Sequence, residues 1–455
     1  MPRNPLTGIV LAMSFLLFSF PLLAKDSDAG TEAREIASLE QRSVEAFEAE
    51  KWASAYAANV KLNRLRPGEI EYLVNVVRAC GMLDRKTTAY HFMLEMQKEG
   101  MSFDFNDVAE TRLIRDTEAY EYINDLLVKA GEPAGTGRPV FTLQGQPANF
   151  SAMAWDPSRK KFLVGTMDTG RILAVSDTGE TELLAEPGKS KGWWSVTGLA
   201  VDPERDRLWV VSAANPAFTG AREDIVNQSV LLEFELASLK LLASFDAPAD
   251  GLKHALGSMA VADDGTVYVV NHADPVIYRK VPYGDVLVPF FTSPNLRSLS
   301  DIAVTENNSR IFATDVAKGV LVIDPVAEQA AYLSGPESMN LAEATAIEYR
   351  NGQLFIVQGG FSPQRVVRLD LDGVSGTVVE AVSPMAIALK EFHRPAVSAI
   401  RDDDLFYFAN TGQPDADGNG HGGDAQRDDA WRHTLDGGSA KRDERGHPDL
   451  AGGER

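Results

Sequence analysis

Short apolar runs and polar turns alternate along the chain from about residue 150 to residue 410. Six times, an apolar run is followed by a turn rich in Asp, Asn, Gly or Pro, and then by a run rich in β-branched and aromatic residues. The unit returns every 43 to 60 residues, measured between the anchoring alanines Ala154, Ala200, Ala260, Ala303, Ala346 and Ala399. Repeats of this length with several short strands are typical of β-propeller blades. The pattern predicts a mainly β fold, a six-bladed β-propeller with innermost strands at residues 152–155, 198–201, 259–261, 302–304, 345–347 and 397–400.

The two ends of this repeat region are expected to meet. Residues 139–143 form an apolar strand before the first repeat. We expect this strand to join the sixth blade, because closing the ring protects the strand edges. After Asn410 only residues 431–435 offer a third strand, so whether the sixth blade is complete stays open. The predicted propeller spans residues 139–411.

Upstream, residues 31–130 carry apolar positions at helical spacing. The predicted helices cover residues 40–50, 52–66, 69–79, 87–98 and 118–129, with Gly81 ending the third. Two helix pairs, 40–67 and 69–100, resemble the tetratricopeptide unit. Two pairs are few to bury their own apolar faces, so we expect this domain to pack on the propeller, with a partner peptide as the alternative. Residues 131–138 are the predicted linker, because they are rich in Gly and Pro.

The first 24 residues have the layout of a secretory signal. Arg3 is followed by a mostly apolar run to Ala24, and Lys25 and Asp26 then end the run. The run is short for a membrane-spanning helix, so we predict cleavage after Ala24, with an uncleaved anchor as the alternative. The expected location is the periplasm or the exterior, with no stable membrane span after cleavage.

Composition narrows the range of partners. The net charge of −21 argues against nucleic-acid binding, which needs clustered Lys and Arg. Cys80 is the only cysteine, so an internal disulfide is impossible. The partner is therefore expected to be a small molecule or a protein.

The repeat motifs resemble those of a known superfamily. Trp155-Asp156-Pro157, the run from Gly198 to Pro203, and Asp264-Gly265-Thr266-Val267-Tyr268 are similar to blades of the gluconolactonase and senescence-marker-protein superfamily, with NHL-type blades close by. The resemblance covers about residues 139–410. It implies a ring of Glu, Asn and Asp that holds a divalent cation, usually calcium, at the central channel. Fold alone does not establish such an activity.

The chain departs from that implied ligand ring. The expected Glu of the first blade falls on Ser151, and the expected Asn positions fall on Gly257 and Ser300. Only Glu343, with neighbouring Asp301, keeps a carboxylate, so these two residues are the predicted metal ligands. Calcium prefers six to eight oxygen ligands. One or two carboxylates with hydroxyls make a poor calcium cage, so Ca²⁺ is a possible cofactor only.

Polar residues in the hairpins after the second strands are expected to lie on the same face as the channel mouth. The long insertion in the second blade adds an arginine to this face. The predicted ligand-binding face consists of Asp168, Asn215, Arg222, His272, Asp274, Asp315, Gln358 and Asn410. His272 with Asp274 offers a general base and its orienting group. The alternative is that these residues serve as ordinary turn formers.

Residues 412–455 are predicted to be a disordered polar tail, because they contain almost no apolar residues. The segment from Asp415 to Gly420 matches the first half of a calcium loop. Its twelfth position is Gln426 rather than Glu, which weakens the match.

Two functions from different classes follow. The first is a ligand-binding or protein-interaction propeller without a catalytic metal ring. The second is a calcium-dependent lactonase-type hydrolase acting on a small ester or sugar lactone. A sugar or small-ligand sensor that uses the same face is the third. The discriminating feature is whether Glu343, Asp301 and the hairpin carboxylates converge on one point.

Overall fold

The computed structural model describes residues 28–143, 149–188, 192–410 and 428–434. The predicted signal segment and the Asp415 loop lie outside these residues. In the described part of the chain, no helix is long and apolar enough to cross a membrane.

Five α-helices come first and stack in sequence order. They are α1 (Asp28–Glu48), α2 (Trp52–Leu65), α3 (Ile70–Met82), α4 (Lys86–Lys98) and α5 (Glu118–Ala130), with two 3₁₀ turns at Phe105–Asp107 and Ala109–Ile114. α1 is longer than predicted. The tetratricopeptide resemblance itself stays a prediction.

The prediction that Gly81 ends α3 is wrong. The helix continues to Met82. A Cβ at Gly81 would lie 2.3 Å from the backbone oxygen of Glu110, so glycine is needed for the close approach of the second 3₁₀ turn. Packing, rather than helix termination, explains this residue.

After the helices, the strands that the structure describes form six antiparallel sheets. Five are blades of four consecutive strands. Blade 1 contains β3 (Phe150–Asp156), β4 (Lys161–Thr166), β5 (Ile172–Val175) and β6 (Thr181–Ala185). Blade 2 contains β7 (Ser195–Asp202), β8 (Arg207–Ala213), β9 (Ser229–Glu235) and β10 (Leu241–Asp246). Blade 3 contains β11 (Leu256–Val261), β12 (Val267–Asn271), β13 (Val276–Lys280) and β14 (Val288–Thr292).

Blade 4 contains β15 (Leu299–Val304), β16 (Ile311–Asp315), β17 (Gly319–Asp324) and β18 (Gln329–Tyr332). Blade 5 contains β19 (Ala346–Arg350), β20 (Gln353–Gln358), β21 (Arg365–Leu371) and β22 (Val379–Ile387). β1 (Ala134–Gly135) pairs with the outer edge of β22, so the predicted linker adds a strand to this blade.

The sixth sheet is a composite of both ends of the repeat region. It contains β23 (Ala396–Arg401), β24 (Asp404–Phe408), β25 (Asp428–Thr434) and β2 (Arg138–Leu143), in that order. The strand predicted to close the ring therefore pairs with β25. The predicted disordered tail is wrong for residues 428–434, because β25 bonds to β24 on one side and to β2 on the other. Five blades of consecutive strands are thus present where six were predicted.

The sheets surround a channel as in a β-propeller. Neighbouring innermost strands contact one another in a closed circle, from β3 through β7, β11, β15, β19 and β23 back to β3. Apolar side chains fill each interface between neighbouring sheets. Phe162 of blade 1 and Phe406 of the composite sheet, for example, have ring centroids 4.6 Å apart. Burying one such side chain contributes about 1.5–3 kcal/mol.

The helical domain is attached to blade 5. The hairpin between β20 and β21 inserts Phe361 into the core between α3, α4 and α5, where 1% of the residue is exposed. Arg365 at the end of that hairpin donates to the backbone oxygen of Glu99 at 3.1 Å. The backbone N–H of Ser102 donates to the oxygen of Ser362 at 3.2 Å. The expected packing of this domain on the propeller is confirmed.

Candidate functional site

The channel through the ring of sheets holds a cavity of about 820 Å³. Side chains from all six innermost strands line it, from Asn215, His272 and Glu343 near the hairpin face to Trp155 and Tyr349 near the opposite face. A cavity of this size fits a small organic ligand. Of the predicted residues, Asn215, His272, Asp301 and Glu343 line the cavity.

Hydroxyl groups at the start of the innermost strands tie neighbouring sheets together. Each donates to a backbone carbonyl of the next sheet. The pairs are Ser151 with Val196 at 2.5 Å, Thr197 with Leu256 at 2.7 Å, Ser300 with Ala344 at 2.8 Å, and Thr345 with Pro395 at 2.8 Å. Ser151 and Ser300 are positions where the resemblance implies metal ligands. Here their hydroxyls hold the ring together.

In blade 3, an imidazole replaces the hydroxyl. Gly257 stands at the position of Ser300 in blade 4, and its missing Cβ leaves room for the ring of His272, whose Cε1 would lie 2.1 Å from such a Cβ. Nε2 of His272 lies 3.1 Å from the backbone oxygen of Ser300. The side chain of His272 is exposed, and the surface it exposes borders the cavity. The protein around the channel reduces the hydration of the imidazole, and this desolvation lowers the pKa of His272.

Asp274 does not orient His272, so the predicted base and orienting pair is wrong. The carboxylate of Asp274 accepts a hydrogen bond from the backbone N–H of Lys253 at 2.8 Å. The backbone carbonyl of Ser300 holds the imidazole instead.

Asp301 of β15 points into the junction between blades 4 and 5. Its carboxylate accepts hydrogen bonds from the backbone N–H groups of Ile347 at 2.8 Å and Ile302 at 2.9 Å, and from the hydroxyl of Ser258. Burial outweighs these three donors and raises the pKa of Asp301 to about 6.

Glu348 of β19 is a second half-buried acid of the channel wall, and sequence reasoning missed it. Its Oε1 accepts a hydrogen bond from the hydroxyl of Ser398 at 3.0 Å. Burial, and secondly the negative charge of Asp301, raise the pKa of Glu348 to about 8. The carboxyl group is therefore mainly protonated at neutral pH and able to donate a hydrogen bond.

Strand pairing explains why Glu348 was missed. Glu348 pairs with Phe355, as Ala303 pairs with Phe312 and Ala260 with Tyr268. The true equivalent of the other anchoring alanines is therefore Glu348, two residues after the predicted anchor Ala346. Blades 1 to 4 have alanine at this position, and blade 5 has glutamate. This exchange was the signal in the sequence that could have identified Glu348.

Glu343 lies at the channel mouth and is paired with the helical domain. Its Oε1 lies 3.5 Å from Nη2 of Arg66, and burial raises the pKa of Glu343. The position equivalent to Ser300 in blade 5 is Thr345, not Glu343. Among the described residues, no group of three or more His, Cys, Asp or Glu side chains could hold a metal ion. The residues present do not fit the implied calcium ring.

The other hairpin residues make local hydrogen bonds or ion pairs, and of them only Asn215 lines the cavity. Asp168 accepts from the N–H of Thr169 at 2.9 Å, and Arg222 pairs with Asp224 at 3.0 Å on the surface. Asn410 lies opposite His393 in an isolated bridge. Asn215, although it borders the cavity, accepts from the N–H of Ala217 at 2.8 Å.

Asp315 and Gln358 are buried and organise loops. The carboxylate of Asp315 accepts from the N–H of Arg297 at 2.8 Å and from the hydroxyl of Tyr332 at 3.1 Å. The amide of Gln358 donates to the backbone oxygen of Ala342 at 2.6 Å. The predicted carboxylates of the hairpin face therefore serve mainly in turns and do not converge with Glu343 and Asp301.

Comparisons with known proteins give weak likenesses only. No protein-family model matches this sequence, and no curated protein matches it. The PQQ-bound aldose sugar dehydrogenase from Streptomyces coelicolor aligns at 20% identity over 66% of this chain and 99% of its own, with a TM-score of 0.44. A gluconolactonase from Xanthomonas campestris aligns at 14% identity over 65% and 88%, with a TM-score of 0.43.

Virginiamycin B lyase from Staphylococcus aureus, in a catalytically inactive form with quinupristin, aligns at 12% identity over 67% of this chain and 100% of its own, with a TM-score of 0.43. All three TM-scores are below 0.5. These alignments therefore add nothing to the ring topology observed in the chain itself.

Proposed function

We propose that this protein is an exported small-molecule-binding β-propeller whose ligand occupies the central channel. One observation carries the proposal. The cavity brings His272, Asp301 and Glu348 from three successive blades onto one lining, with apolar side chains around them. A concave site with a few convergent polar groups and perturbed pKa values is the usual form of a ligand site.

A small molecule is favoured over a protein partner by the use of the helical domain. Its inner core already holds Phe361 of the propeller. The apolar faces of α3, α4 and α5 are therefore committed to an intramolecular contact. A role of this domain as a fixed wall beside the channel mouth agrees with the pairing of Arg66 with Glu343.

The composite sheet is proposed to act as the sixth blade. Its innermost strand, β23, lies between β19 and β3. Ser398 on this strand contributes the hydroxyl that binds Glu348. A closed ring would keep the lining rigid, which lowers the entropic cost of ligand binding.

Export is supported by the charge and hydropathy pattern of the first 24 residues. Expression of the full chain in a bacterial host, followed by fractionation and N-terminal sequencing, tests this part. We expect periplasmic protein beginning at Lys25. Recovery of protein that still begins at Met1 would contradict it.

A metal-independent hydrolase is the second candidate, since Asp301 and Glu348 have raised pKa values and lie in one cavity. Asp301 would accept a proton from water and Glu348 would donate one to a leaving group. The calcium-dependent lactonase-type variant has less support, because Glu343 is paired with Arg66. Assays on small esters and sugar lactones, with and without calcium, separate both from simple binding.

The main test is a thermal-shift screen of the purified protein against a library of small molecules. Two variants obstruct the channel from different sheets, Ser398→Trp and Ser258→Trp, and Ser238→Trp on an exposed turn is the matched control. We expect compounds that stabilise the wild type and the control but neither obstructed variant. Stabilisation that survives in a folded obstructed variant would contradict the channel as the site.

A further inference from the structure

We propose that His272 contacts the ligand directly and selects an uncharged ligand that donates a hydrogen bond to its Nδ1. This inference rests on the proposed function, since it names the ligand class of the channel site. The sequence predicts His272 as a general base oriented by Asp274, and that pair does not form in the structure. The role as a hydrogen-bond acceptor for the ligand follows from the tertiary contacts of His272 instead.

The tautomer of His272 follows from its partner. A backbone carbonyl can only accept a hydrogen bond, so Nε2, 3.1 Å from the oxygen of Ser300, carries the proton. In the neutral ring, Nδ1 is then an acceptor. Nδ1 has no hydrogen-bond partner in the part of the chain that the structure describes, and the ring borders the cavity. The free lone pair is therefore available to a ligand O–H or N–H group.

The surroundings keep His272 neutral. Two acids of the same region are already engaged, since Asp274 accepts the N–H of Lys253, and Asp301 accepts two backbone N–H groups and the hydroxyl of Ser258. Desolvation inside the channel, the main cause, lowers the pKa of the imidazole, although the side chain keeps surface open to the cavity. His272 thus stays an acceptor at physiological pH.

Among the described residues that line the cavity, the charged groups are Asp301 in the wall and Glu343 and Arg394 near the mouth, and each of them already has a partner inside the protein. Glu348 is mainly protonated at neutral pH, and the charge of Asp301 is met by three donors. Glu343 at the mouth is paired with Arg66 and also interacts electrostatically with Arg394, so the cations near the mouth face a carboxylate of the protein itself. An ammonium or carboxylate brought into this lining would lose its hydration without gaining a full counter-charge. Hydroxyl or amide groups, in contrast, match both the acceptor at His272 and the donor at Glu348.

Gly257 is the positioning residue for this arrangement. A Cβ there would lie within 2.1 to 2.8 Å of three ring atoms of His272. In four other blades the equivalent residue is Ser or Thr, and its hydroxyl donates a hydrogen bond to a backbone carbonyl of the next sheet. Only blade 3 places a titratable ring at this point.

The test uses three monosaccharides that share the pyranose ring and differ in charge, D-glucose, D-glucosamine and D-glucuronate, with binding measured by saturation-transfer NMR and calorimetry on the full protein. We expect D-glucose to bind at least about 10-fold more tightly than either charged analogue. His272→Gln keeps an N–H for Ser300 but loses the Nδ1 acceptor, and we expect it to weaken D-glucose binding about 3- to 10-fold. His272→Phe, which loses both contacts, controls for the structural role.

A readout independent of any ligand is the tautomer itself. Nitrogen-15 NMR of His272 is expected to show a protonated Nε2 and an unprotonated Nδ1 at pH 7. The inference would be overturned by a protonated Nδ1. It would also be overturned if a charged sugar bound more tightly than D-glucose, if His272→Gln bound D-glucose as tightly as the wild type, or if none of the three sugars bound. If none of the sugars binds, the thermal-shift screen decides about the proposed function. Compounds that stabilise the wild type but not Ser398→Trp would support the channel as a ligand site, and the lack of any such compound would contradict both the proposed function and this inference.

Discussion

The carboxylate of Asp301 in blade 4 accepts a hydrogen bond from the backbone N–H of Ile347 in blade 5, at 2.8 Å. This bond joins the two blades at the channel wall and places a negative charge next to Glu348 one residue further on. The same contact therefore holds two blades together and contributes to the raised pKa of Glu348. Substitutions here are expected to affect stability and binding together.

Substituting Glu348 is expected to change how stability depends on pH. The folded-state pKa of Glu348 is raised to about 8 from an ordinary value of about 4.5. The folded protein therefore holds a proton that the unfolded chain has released, and stability falls as pH rises from about 4.5 to about 8. Glu348→Gln removes this loss. We expect its Tm at pH 9 to exceed that of the wild type by at least about 2 °C, with a smaller difference at pH 5.

Circular dichroism melts between pH 5 and pH 9 measure this effect. Glu180→Gln, on an exposed turn of blade 1, is the matched control and is expected to follow the wild type. Parallel pH curves for Glu348→Gln and the wild type would show that the carboxyl group titrates normally.

Gly257 and His272 are expected to be coupled. Gly257→Ser alone places a Cβ about 2.1 Å from the imidazole, and we expect a loss of about 1–3 kcal/mol in the free energy of unfolding. In Gly257→Ser with His272→Ala, the clash is gone and the serine can bind the carbonyl of the next blade, as Ser300 does. The double variant should recover most of the loss.

Chemical denaturation of the two single variants and the double variant forms a complete cycle. His272→Ala alone is expected to cost about 1 kcal/mol, because the carbonyl of Ser300 loses its donor. Additive effects of the two substitutions would argue against this exchange of a hydroxyl for an imidazole.

Phe361 is expected to hold the helical domain on the propeller. Phe361→Ala removes a buried ring from the core between α3, α4 and α5, which costs about 3–5 kcal/mol. We expect earlier unfolding of the helical domain and faster tryptic cleavage near residues 131–138. Val326→Ala, where 92% of the residue is exposed, is the control. Cleavage unchanged from the wild type would mean that other contacts dominate the attachment.

Glu343 is not expected to contribute to any binding of calcium. Because this carboxylate is paired with Arg66, calorimetric titration of calcium into the wild type and Glu343→Ala should give the same result. The substitution itself should change stability by less than about 1 kcal/mol, since Arg66 is partly exposed. Calcium binding that disappears in the variant would restore the calcium-dependent hydrolase.

Local patterns in the chain were sufficient for the β-propeller and for the α-helices before it. Alternating apolar residues and turn formers depend on neighbours in sequence, so the six innermost strands and most helices could be predicted. The pattern failed where a contact distant in sequence decides the outcome. Position 81 needs glycine because the backbone of Glu110 approaches it, and β25 forms because it pairs with β24 and β2, two strands from opposite ends of the repeat region.

The candidate site depended on the tertiary structure more strongly. Register shifts near the start of the innermost strands, such as that between Leu299 and Ile302, move the channel-facing positions in a way that sequence alignment does not show. The sequence pattern indicates Ala346 as the repeat position of blade 5, whereas the strand pairing places that position at Glu348. The raised pKa of Glu348 and the tautomer of His272 come from burial and from a carbonyl on another blade, which no local pattern specifies.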